Sequence, residues 1–252
     1  MSSLQARNTS LRYQPAIEYP RPANEQPMFP KRQDSAGLTA RLAFDEQTRK
    51  DAFALRHASY VAADYLDPHP SGLFSDAYDD MPNCTTIVVY KDGRPAASVR
   101  VAVLDSDPSQ TGWHDVPAAH IFHDEVDALL APSSPGQFKK AAEITRLVRH
   151  PDFATDSELV FVLFRFVTFL LKEQNIDVVL SCVRRNHMPF YKRLEFAAVA
   201  GPKSYPGLKF AVNLMACPKS NYAAVFKKLP LPNANTSAGG YDGLFEGKTV
   251  SV

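Results

Sequence analysis

A chain of 252 residues, 45% of them hydrophobic and 22% charged, has the composition of a globular protein and the length of one domain with terminal extensions. The formal net charge of +1 at pH 7 argues against nucleic-acid binding driven by bulk charge, although a local basic patch is compatible with it. The 3 cysteines have no metal-ligand spacing and predict reduced thiols in a cytoplasmic protein, and the N-terminus, which lacks an apolar core, predicts no secretion signal.

Proline and polar residues divide the chain into regions. Residues 1–38 predict a flexible N-terminal arm, 39–217 a single domain, and 218–252 a C-terminal extension that is partly flexible. The most apolar run, residues 159–171, is shorter than the ~20 residues of a membrane span and carries Arg165 near its centre. We therefore predict a buried helix there and no transmembrane segment.

Local signals predict the elements of the domain in chain order. They are a short strand at 42–44, a helix capped by Asp45 that runs to about Ala63, a hairpin of strands 85–91 and 95–104 around Asp92 and Gly93, a helix near 120–130, a strand at 141–148, a helix at 157–173, a strand at 176–183, a helix capped by Asn186 that ends near Leu194, and closing strands at 196–200 and 208–216. This order predicts a mixed sheet of the α/β (α+β) class.

The predicted strand at 141–148 carries polar side chains inside an apolar run. Because successive side chains of a strand point to opposite faces, Glu143 and Thr145 are expected on one face and Arg146, with Ile144, on the other. Buried charges are costly unless they are paired, so this strand predicts ionic partners elsewhere in the chain. The candidate partners are Arg56, Asp76, Asp79 and Arg100. Such a set indicates an enzyme that positions an amine near a polarised carbonyl.

The two aspartates upstream have alternative interpretations. Asp76 and Asp79 lack a third ligand at useful spacing, so salt bridges to arginines are favoured over a metal site, and we predict no metal. Arg56 or Arg100 could also bind the carboxylate of an amino acid through a bidentate contact.

The order of elements resembles the GNAT acyltransferase fold. The segment from Asn186 to Phe196 resembles the closing motif of that fold, in which a tyrosine near the helix end, here Tyr191, precedes a Leu-Gly-Phe step. Glu195 stands in place of the usual glycine. The resemblance implies a GNAT-like mixed, mostly antiparallel sheet flanked by helices.

A narrower resemblance covers residues 50–150 and involves two relatives of this fold, the acyl-homoserine lactone synthases and the N-acyl amino acid synthases. The resemblance as a whole spans residues 40–216. The residues that carry it are Arg56, Tyr60, Gly72, Asp76, Asp79, Arg100 and the run Glu143, Ile144, Thr145, Arg146. Phe74 stands where lactone synthases usually have Glu, and Tyr60 and Tyr65 where they favour Phe and Trp. The chain is therefore more similar to the N-acyl amino acid synthases.

This resemblance implies an N-acyltransferase that moves a fatty acyl group from an acyl carrier protein thioester to the amine of an amino acid. The alternatives are a lactone synthase that uses S-adenosylmethionine, an N-acetyltransferase that uses acetyl-CoA, and a catalytically silent GNAT domain that only docks a partner. The resemblance implies no tightly bound cofactor, no nucleic acid and a cytoplasmic location, and the oligomeric state stays open.

The resemblance also assigns roles to residues. Glu143 is expected to accept the amine proton or to position the amine, with a structural ion pair to Arg56 or Arg100 as the alternative. The backbone of Leu147, Val148 and Arg149 is expected to bind the thioester oxygen and the pantetheine at a bulge of the strand. Tyr191 is the candidate proton donor to the departing thiolate, or else a packed tyrosine. Arg146 completes the catalytic candidates, and the substrate-binding candidates are Arg56, Tyr60, Asp76, Asp79, Arg100 and Thr145.

The turn after the strand predicts the type of acyl donor. CoA-using relatives have a glycine-rich turn that binds the pyrophosphate, whereas residues 149–156 contain no glycine, a proline and two acids. An acyl-phosphopantetheine arm on an acyl carrier protein, with its single phosphate, suits this turn better than acyl-CoA. Because carrier proteins are acidic, a basic rim is expected, although its candidates could equally be ordinary surface charges: Lys139, Lys140, Arg149, Arg184, Arg185, Lys192 and Arg193. The Phe-rich helix 157–173 could line a tunnel for the acyl chain or simply form core.

Overall fold

The computed structural model describes residues 37–110, 115–134, 137, 139–205, 207–229 and 242–251. Nearly all of the predicted N-terminal arm lies outside the described residues, as does the stretch 230–241 of the predicted C-terminal extension.

The predicted elements occur in the predicted order, with three differences. The strand predicted at 42–44 lies at 38–42, the single helix predicted near 120–130 is two helices, and two helices and one strand after residue 218 were not predicted. The strands are β1 (Leu38–Leu42), β2 (Cys84–Lys91), β3 (Arg94–Asp105), β4 (Lys140–Arg149), β5 (Val178–Val183), β6 (Ala197–Ser204), β7 (Ala211–Pro218) and β8 (Val250–Ser251). The helices are α1 (Glu46–Ala62), α2 (Pro117–Ile121), α3 (His123–Leu130), α4 (Glu158–Glu173), α5 (Met188–Arg193), α6 (Tyr222–Lys228) and α7 (Asp242–Phe245).

Local chemistry explains why several of these elements begin and end where they do. Asp45 caps α1 by accepting a hydrogen bond from the backbone N–H of Thr48 at 2.9 Å, as predicted. Asp92 and Gly93 form the β2–β3 turn with φ angles of 50° and 76°, in the left-handed region that such a tight hairpin requires. The predicted cap at Asn186 is wrong, because a 3-10 turn precedes α5 and His187 holds the N-cap position without a side-chain hydrogen bond.

Within the described residues, the strands form one sheet in the order β6-β7-β5-β4-β3-β2-β1-β8. All neighbours are antiparallel except β4 and β5, so the mostly antiparallel mixed sheet is confirmed. The parallel pair is short, with residues 141–143 of β4 facing 178–180 of β5. Beyond it the two strands diverge, and a gap opens in the middle of the sheet.

Helices cover both sides of the sheet. The α1 face is the side on which Val88 and Val148 pack against Ala52 and Leu55 of α1, and α2 and α3 cover its other half. The α4 face is the opposite side, where α4 and α6 pack over β4 and β5. Among the described residues, no helix combines the length and hydropathy needed to cross a bilayer.

Strand β4 contains a bulge at the position that matters for the site. Ser98 of β3 faces Val148 and Arg100 faces Thr145, so the single residue Val99 lies opposite both Arg146 and Leu147. Arg146 takes the extra position with a φ of 53°. The alternation of side chains is broken there, and the prediction that Arg146 points away from Glu143 is wrong: Arg146 joins Glu143 and Thr145 on the α1 face.

Candidate active site

Three arginines and two aspartates form a buried ion network on the α1 face. Arg56 of α1 donates from Nη1 to both oxygens of Asp79 at 2.7 Å. Arg100 of β3 donates to Asp76 at 2.6 Å and to Asp79 at 2.9 Å, and Arg146 donates to Asp76 at 2.6 Å. The network confirms the predicted salt bridges of Asp76 and Asp79.

At the centre of the network, Asp76 binds two arginines, and aromatic rings enclose Arg146. Burial raises the pKa of Asp76, but the hydrogen bonds and charges of Arg100 and Arg146 outweigh it and hold the pKa at about 2. The guanidinium of Arg146 lies over the rings of Phe74 at 5.0 Å, Tyr205 at 5.1 Å and Tyr60 at 5.9 Å. The Asp76 carboxylate is therefore ionised at neutral pH, and the Arg146 guanidinium lies between it and the three rings.

This arrangement bears on the predicted carboxylate-binding role of two arginines. Arg56 and Arg100 have fully buried side chains, and their guanidinium groups are already engaged by Asp79 and Asp76. Binding of a substrate carboxylate by either arginine remains a prediction that requires a rearrangement of these pairs.

Glu143 lies in β4 beside the network but outside it. Its Oε2 accepts a hydrogen bond from the backbone N–H of Ala118, at the start of α2, at 2.7 Å, and the side chain is fully buried. Within the described residues it forms no ion pair with Arg56 or Arg100, so the structural alternative predicted for it is wrong. Burial raises its pKa to about 7, although the Ala118 N–H and the charge of Arg100 oppose the shift. A carboxylate with this pKa can accept or donate a proton near neutral pH.

Two neighbours of Glu143 were not predicted from the sequence. Tyr205 follows β6 and is 7% exposed, and Cys182 lies in β5 on the same face. The pKa values of both are raised by burial and by the Glu143 carboxylate. For Cys182, the available sequence signal was a polar pair, Ser181 and Cys182, inside an apolar strand. For Tyr205 there was no such signal, because it lies in a turn without a hydrophobic pattern.

A pocket of ≈ 580 Å³ opens where β4 and β5 diverge. Its walls come from the end of α1, the end of β4, the first turns of α4, and α5, and they include Leu147, Val148, Arg149 and Tyr191. Most of the remaining lining is apolar, with Phe161, Phe164 and Phe190 prominent. The pocket residues and the network residues thus approach the same gap from different sides, and β4 lies between them.

Tyr191 is held at the gap by an aromatic cluster. Its ring contacts Phe164, Phe190 and Phe196 with centroid distances of 5.9, 5.6 and 5.2 Å. Burial raises its pKa to about 12, although a hydrogen bond with Ser181 opposes the shift. The phenol is therefore protonated at neutral pH and has a proton to donate.

The turn between β4 and α4 uses five of its backbone donors internally. The N–H groups of Phe153, Ala154 and Asp156 donate to carbonyls of residues 150, 151 and 153. Those of Asp152 and Glu158 donate to the side chains of His150 and Asp156. These N–H groups are not free to bind a pyrophosphate at the start of α4.

The predicted basic rim is divided between the two ends of β4. Arg149 at the end of β4, Arg184 and Arg185 in the turn after β5, and Lys192 and Arg193 in α5 lie at the pocket end of the sheet. Lys139 and Lys140 lie at the start of β4, and because the strand has 10 residues they are about 30 Å from Arg149. These two lysines do not belong to a rim around the pocket.

Metal binding finds no support in the described ranges. There, no group of three or more His, Cys, Asp and Glu side chains is placed to hold a metal ion. Asp76 and Asp79, the sequence candidates, are engaged by arginines instead.

A mixed sheet that splits between two parallel strands, with a bulged strand and a tyrosine-bearing helix at the split, defines a GNAT-like acyltransferase. The family of the N-acyl amino acid synthase FeeM matches residues 51–218. The chain belongs to this family and is an N-acyltransferase.

Solved structures show the same fold. FeeM, an N-acyl amino acid synthase from uncultured soil microbes, is 18% identical with a TM-score of 0.59, and the match covers 74% of this chain and 93% of FeeM. The CoA-dependent acyl-homoserine lactone synthase BjaI is 16% identical with a TM-score of 0.55 over 78% of this chain and 92% of BjaI. The lactone synthase LasI is 14% identical with a TM-score of 0.52 over 71% of this chain and 89% of LasI. A search of curated proteins finds no match.

Proposed function

We propose that the chain transfers a fatty acyl group from the phosphopantetheine thioester of an acyl carrier protein to the amino group of an amino acid, giving an N-acyl amino acid. The observation that carries the proposal is the pocket at the β4–β5 gap, which places Leu147, Val148, Arg149 and Tyr191 together. Glu143 lies on the other side of β4, at the last residue that still pairs with β5.

The acyl chain and the pantetheine arm occupy the pocket. Its apolar walls suit a fatty chain. The carbonyl of Ile144 is bound by the Ser181 hydroxyl, and the edge of β4 beyond it, which has separated from β5, offers backbone groups to the pantetheine amides and the thioester oxygen. The bulge at Arg146 and Leu147 sets the direction of these groups.

The reaction needs two proton transfers in addition to acyl transfer. The neutral amine attacks the thioester carbon, the C–N bond forms, and the C–S bond breaks as the oxyanion collapses. Glu143 accepts the proton that the nitrogen loses, and Tyr191 donates a proton to the departing thiolate and regains it from solvent. The pKa of about 7 at Glu143 and of about 12 at Tyr191 fit a base and an acid in these roles.

A carrier protein is favoured as donor because of the turn after β4. The N–H groups of residues 152, 153, 154, 156 and 158 are engaged internally. The nearby basic side chains Arg94 and Lys91 are already paired with Asp152 and Asp156, so they are not free to bind a pyrophosphate. A single phosphate is less demanding, and the exposed arginines at 185 and 193 can face an acidic carrier surface.

The test is acylation by the purified full chain. Acyl carrier protein and CoA, each loaded with the same fatty chain, are offered with each standard amino acid, and products are identified by mass spectrometry. Acyl amino acid formed faster from the carrier supports the proposal. Faster transfer from acyl-CoA contradicts the donor, and an acyl lactone formed from S-adenosylmethionine contradicts the acceptor.

A charge-reversal pair tests carrier docking more sharply. Arg185→Glu lies at the pocket end of the sheet and is expected to raise KM for the loaded carrier about tenfold at low salt, and not for a free acyl-pantetheine fragment. Lys139→Glu makes the same change at the far end of β4 and serves as the control. Equal effects of the two variants count against docking at the pocket mouth.

A further inference from the structure

Tyr205 is fixed in place between β6 and β7. Its N–H donates to the carbonyl of Phe210 at 3.2 Å, and its own carbonyl accepts from the N–H of Leu208 at 3.2 Å. Its ring packs in the cluster that contains Ala118 and Phe122 of α2 and its C-cap.

The hydroxyl of this tyrosine has no protein partner. Although the residue is only 7% exposed, Tyr205 Oη has no partner at hydrogen-bond distance and angle in the described part of the chain, and the nearby Thr145 side chain only lowers the pKa of the phenol. A buried hydroxyl without a partner is unfavourable, and phenylalanine would fill the same space without that loss. The hydroxyl is therefore expected to meet a ligand.

A second unpartnered atom lies beside it. Glu143 Oε1 is buried and has no partner at hydrogen-bond distance and angle within the described residues, whereas Oε2 is held by Ala118. The nearby Cys182 thiol interacts with this carboxylate and lowers its pKa. Tyr205 and Glu143 approach each other from β6–β7 and β4 on the α1 face, with Thr145 and Arg146 adjacent. Two buried oxygen atoms, each able to accept a hydrogen bond, therefore lie near Ala118 without a partner within the described residues.

We propose that Glu143 Oε1 and Tyr205 Oη accept the two N–H hydrogens of a primary amine and so select primary over secondary amines as acyl acceptors. A neutral primary amine has two N–H bonds and one lone pair, and when both hydrogens are held the lone pair is left to face the thioester. A secondary amine has one N–H and leaves one of the two atoms unpartnered. This inference rests on the proposed acyl transfer and adds the class of acceptor and the residue Tyr205 to it.

The measurement compares kcat/KM for the best accepted amino acid and for its N-methyl analogue. The wild-type protein is expected to prefer the primary amine by about tenfold or more. Tyr205→Phe removes only the hydroxyl, so it is expected to lower kcat/KM for the primary amine about tenfold, leave the N-methyl analogue unchanged, and not lower the melting temperature.

Tyr222→Phe is the matched control, because Tyr222 Oη in α6 is also buried without a partner but lies on the α4 face. It is expected to keep the wild-type preference. The inference is overturned if the wild-type protein uses the N-methyl analogue equally well, a result that needs no variant, or if Tyr205→Phe folds and retains the preference. Absence of acyl transfer by the wild-type protein from either donor to any amine refutes the proposed function itself and is a separate result.

Discussion

Arg146 donates two hydrogen bonds to one oxygen of Asp76, from Nε at 3.0 Å and from Nη2 at 2.6 Å, across 70 positions of sequence. The same aspartate binds Arg100 through both of its oxygens. The bulge that turns Arg146 toward Asp76 also sets the backbone direction at the pocket, so the ion network and the proposed oxyanion site are built by one irregularity of β4.

Removing one charge from the network is expected to destabilise the fold. Asp79→Asn leaves Arg56, whose side chain is fully buried, without its counter-ion, at a cost of about 3–5 kcal/mol in the free energy of unfolding. Urea denaturation measures the change. Asp80→Asn is the control, because Asp80 is 79% exposed in its pair with Arg49 and its loss costs at most about 1 kcal/mol. Similar losses from both variants contradict a buried network.

Glu143 is expected to make stability depend on pH. Its pKa is raised from 4.5 to about 7, so the folded state holds the proton more tightly than the unfolded state. The stability it contributes is complete below the unfolded pKa and is lost as pH rises through about 7, by roughly 3 kcal/mol in total at about 1.4 kcal/mol per pKa unit.

Glu143→Gln tests both parts of this assignment. As pH rises through that window, the unfolding free energy of the wild-type protein is expected to fall relative to that of the variant. A difference that does not change with pH contradicts the raised pKa. Because the variant also lacks the base, its kcat is expected to fall about 10²- to 10⁴-fold.

Tyr191→Phe is expected to slow transfer in a way that depends on the leaving thiol. Without the phenol proton, kcat with a pantetheine thioester is expected to fall about 10²-fold. A thioester of a more acidic thiol needs no proton on departure, so the same variant is expected to act on it at nearly the wild-type rate. An equal loss with both donors assigns Tyr191 to packing instead.

Phe164 is expected to limit the length of the acyl chain. Its ring lines both the pocket at the gap and a smaller, almost wholly apolar cavity between α4, α6 and the divergent strands. Phe164→Ala joins the two spaces and is expected to shift the preferred chain toward longer acids in a competition assay. Phe166→Ala is the control, because it truncates a fully buried ring of the same helix. Both variants are expected to lower the free energy of unfolding by ~3–5 kcal/mol, but Phe166→Ala is expected to leave the preferred chain length unchanged.

Glu195 occupies a backbone position that favours glycine. It has a φ of 65° in the step that the closing motif normally fills with Gly. Glu195→Gly and Glu195→Ala both remove the ion pair with Lys228, but only glycine relieves the left-handed strain. We expect the glycine variant to be more stable than the alanine variant by about 1 kcal/mol in thermal unfolding. Equal stability contradicts a strained turn.

Elements fixed by neighbouring residues could be read from the sequence. The α1 helix begins after Asp45 because that side chain caps it, and the β2–β3 hairpin turns at Asp92 and Gly93 because both can take a positive φ. The cap predicted at Asn186 failed because the 3-10 turn there places His187 at the start of α5.

The sequence alone determined the order of the elements and the members of the ion network, because caps, turns and periodicity act over a few residues and buried charges require partners. Only the tertiary structure decided which face Arg146 occupies, since the bulge depends on the register of β4 against β3. It also decided that Glu143 is held by Ala118 of α2 rather than by an arginine, and that Tyr205 lies beside it. These contacts join segments far apart in the chain, and no local preference specifies which of them will meet.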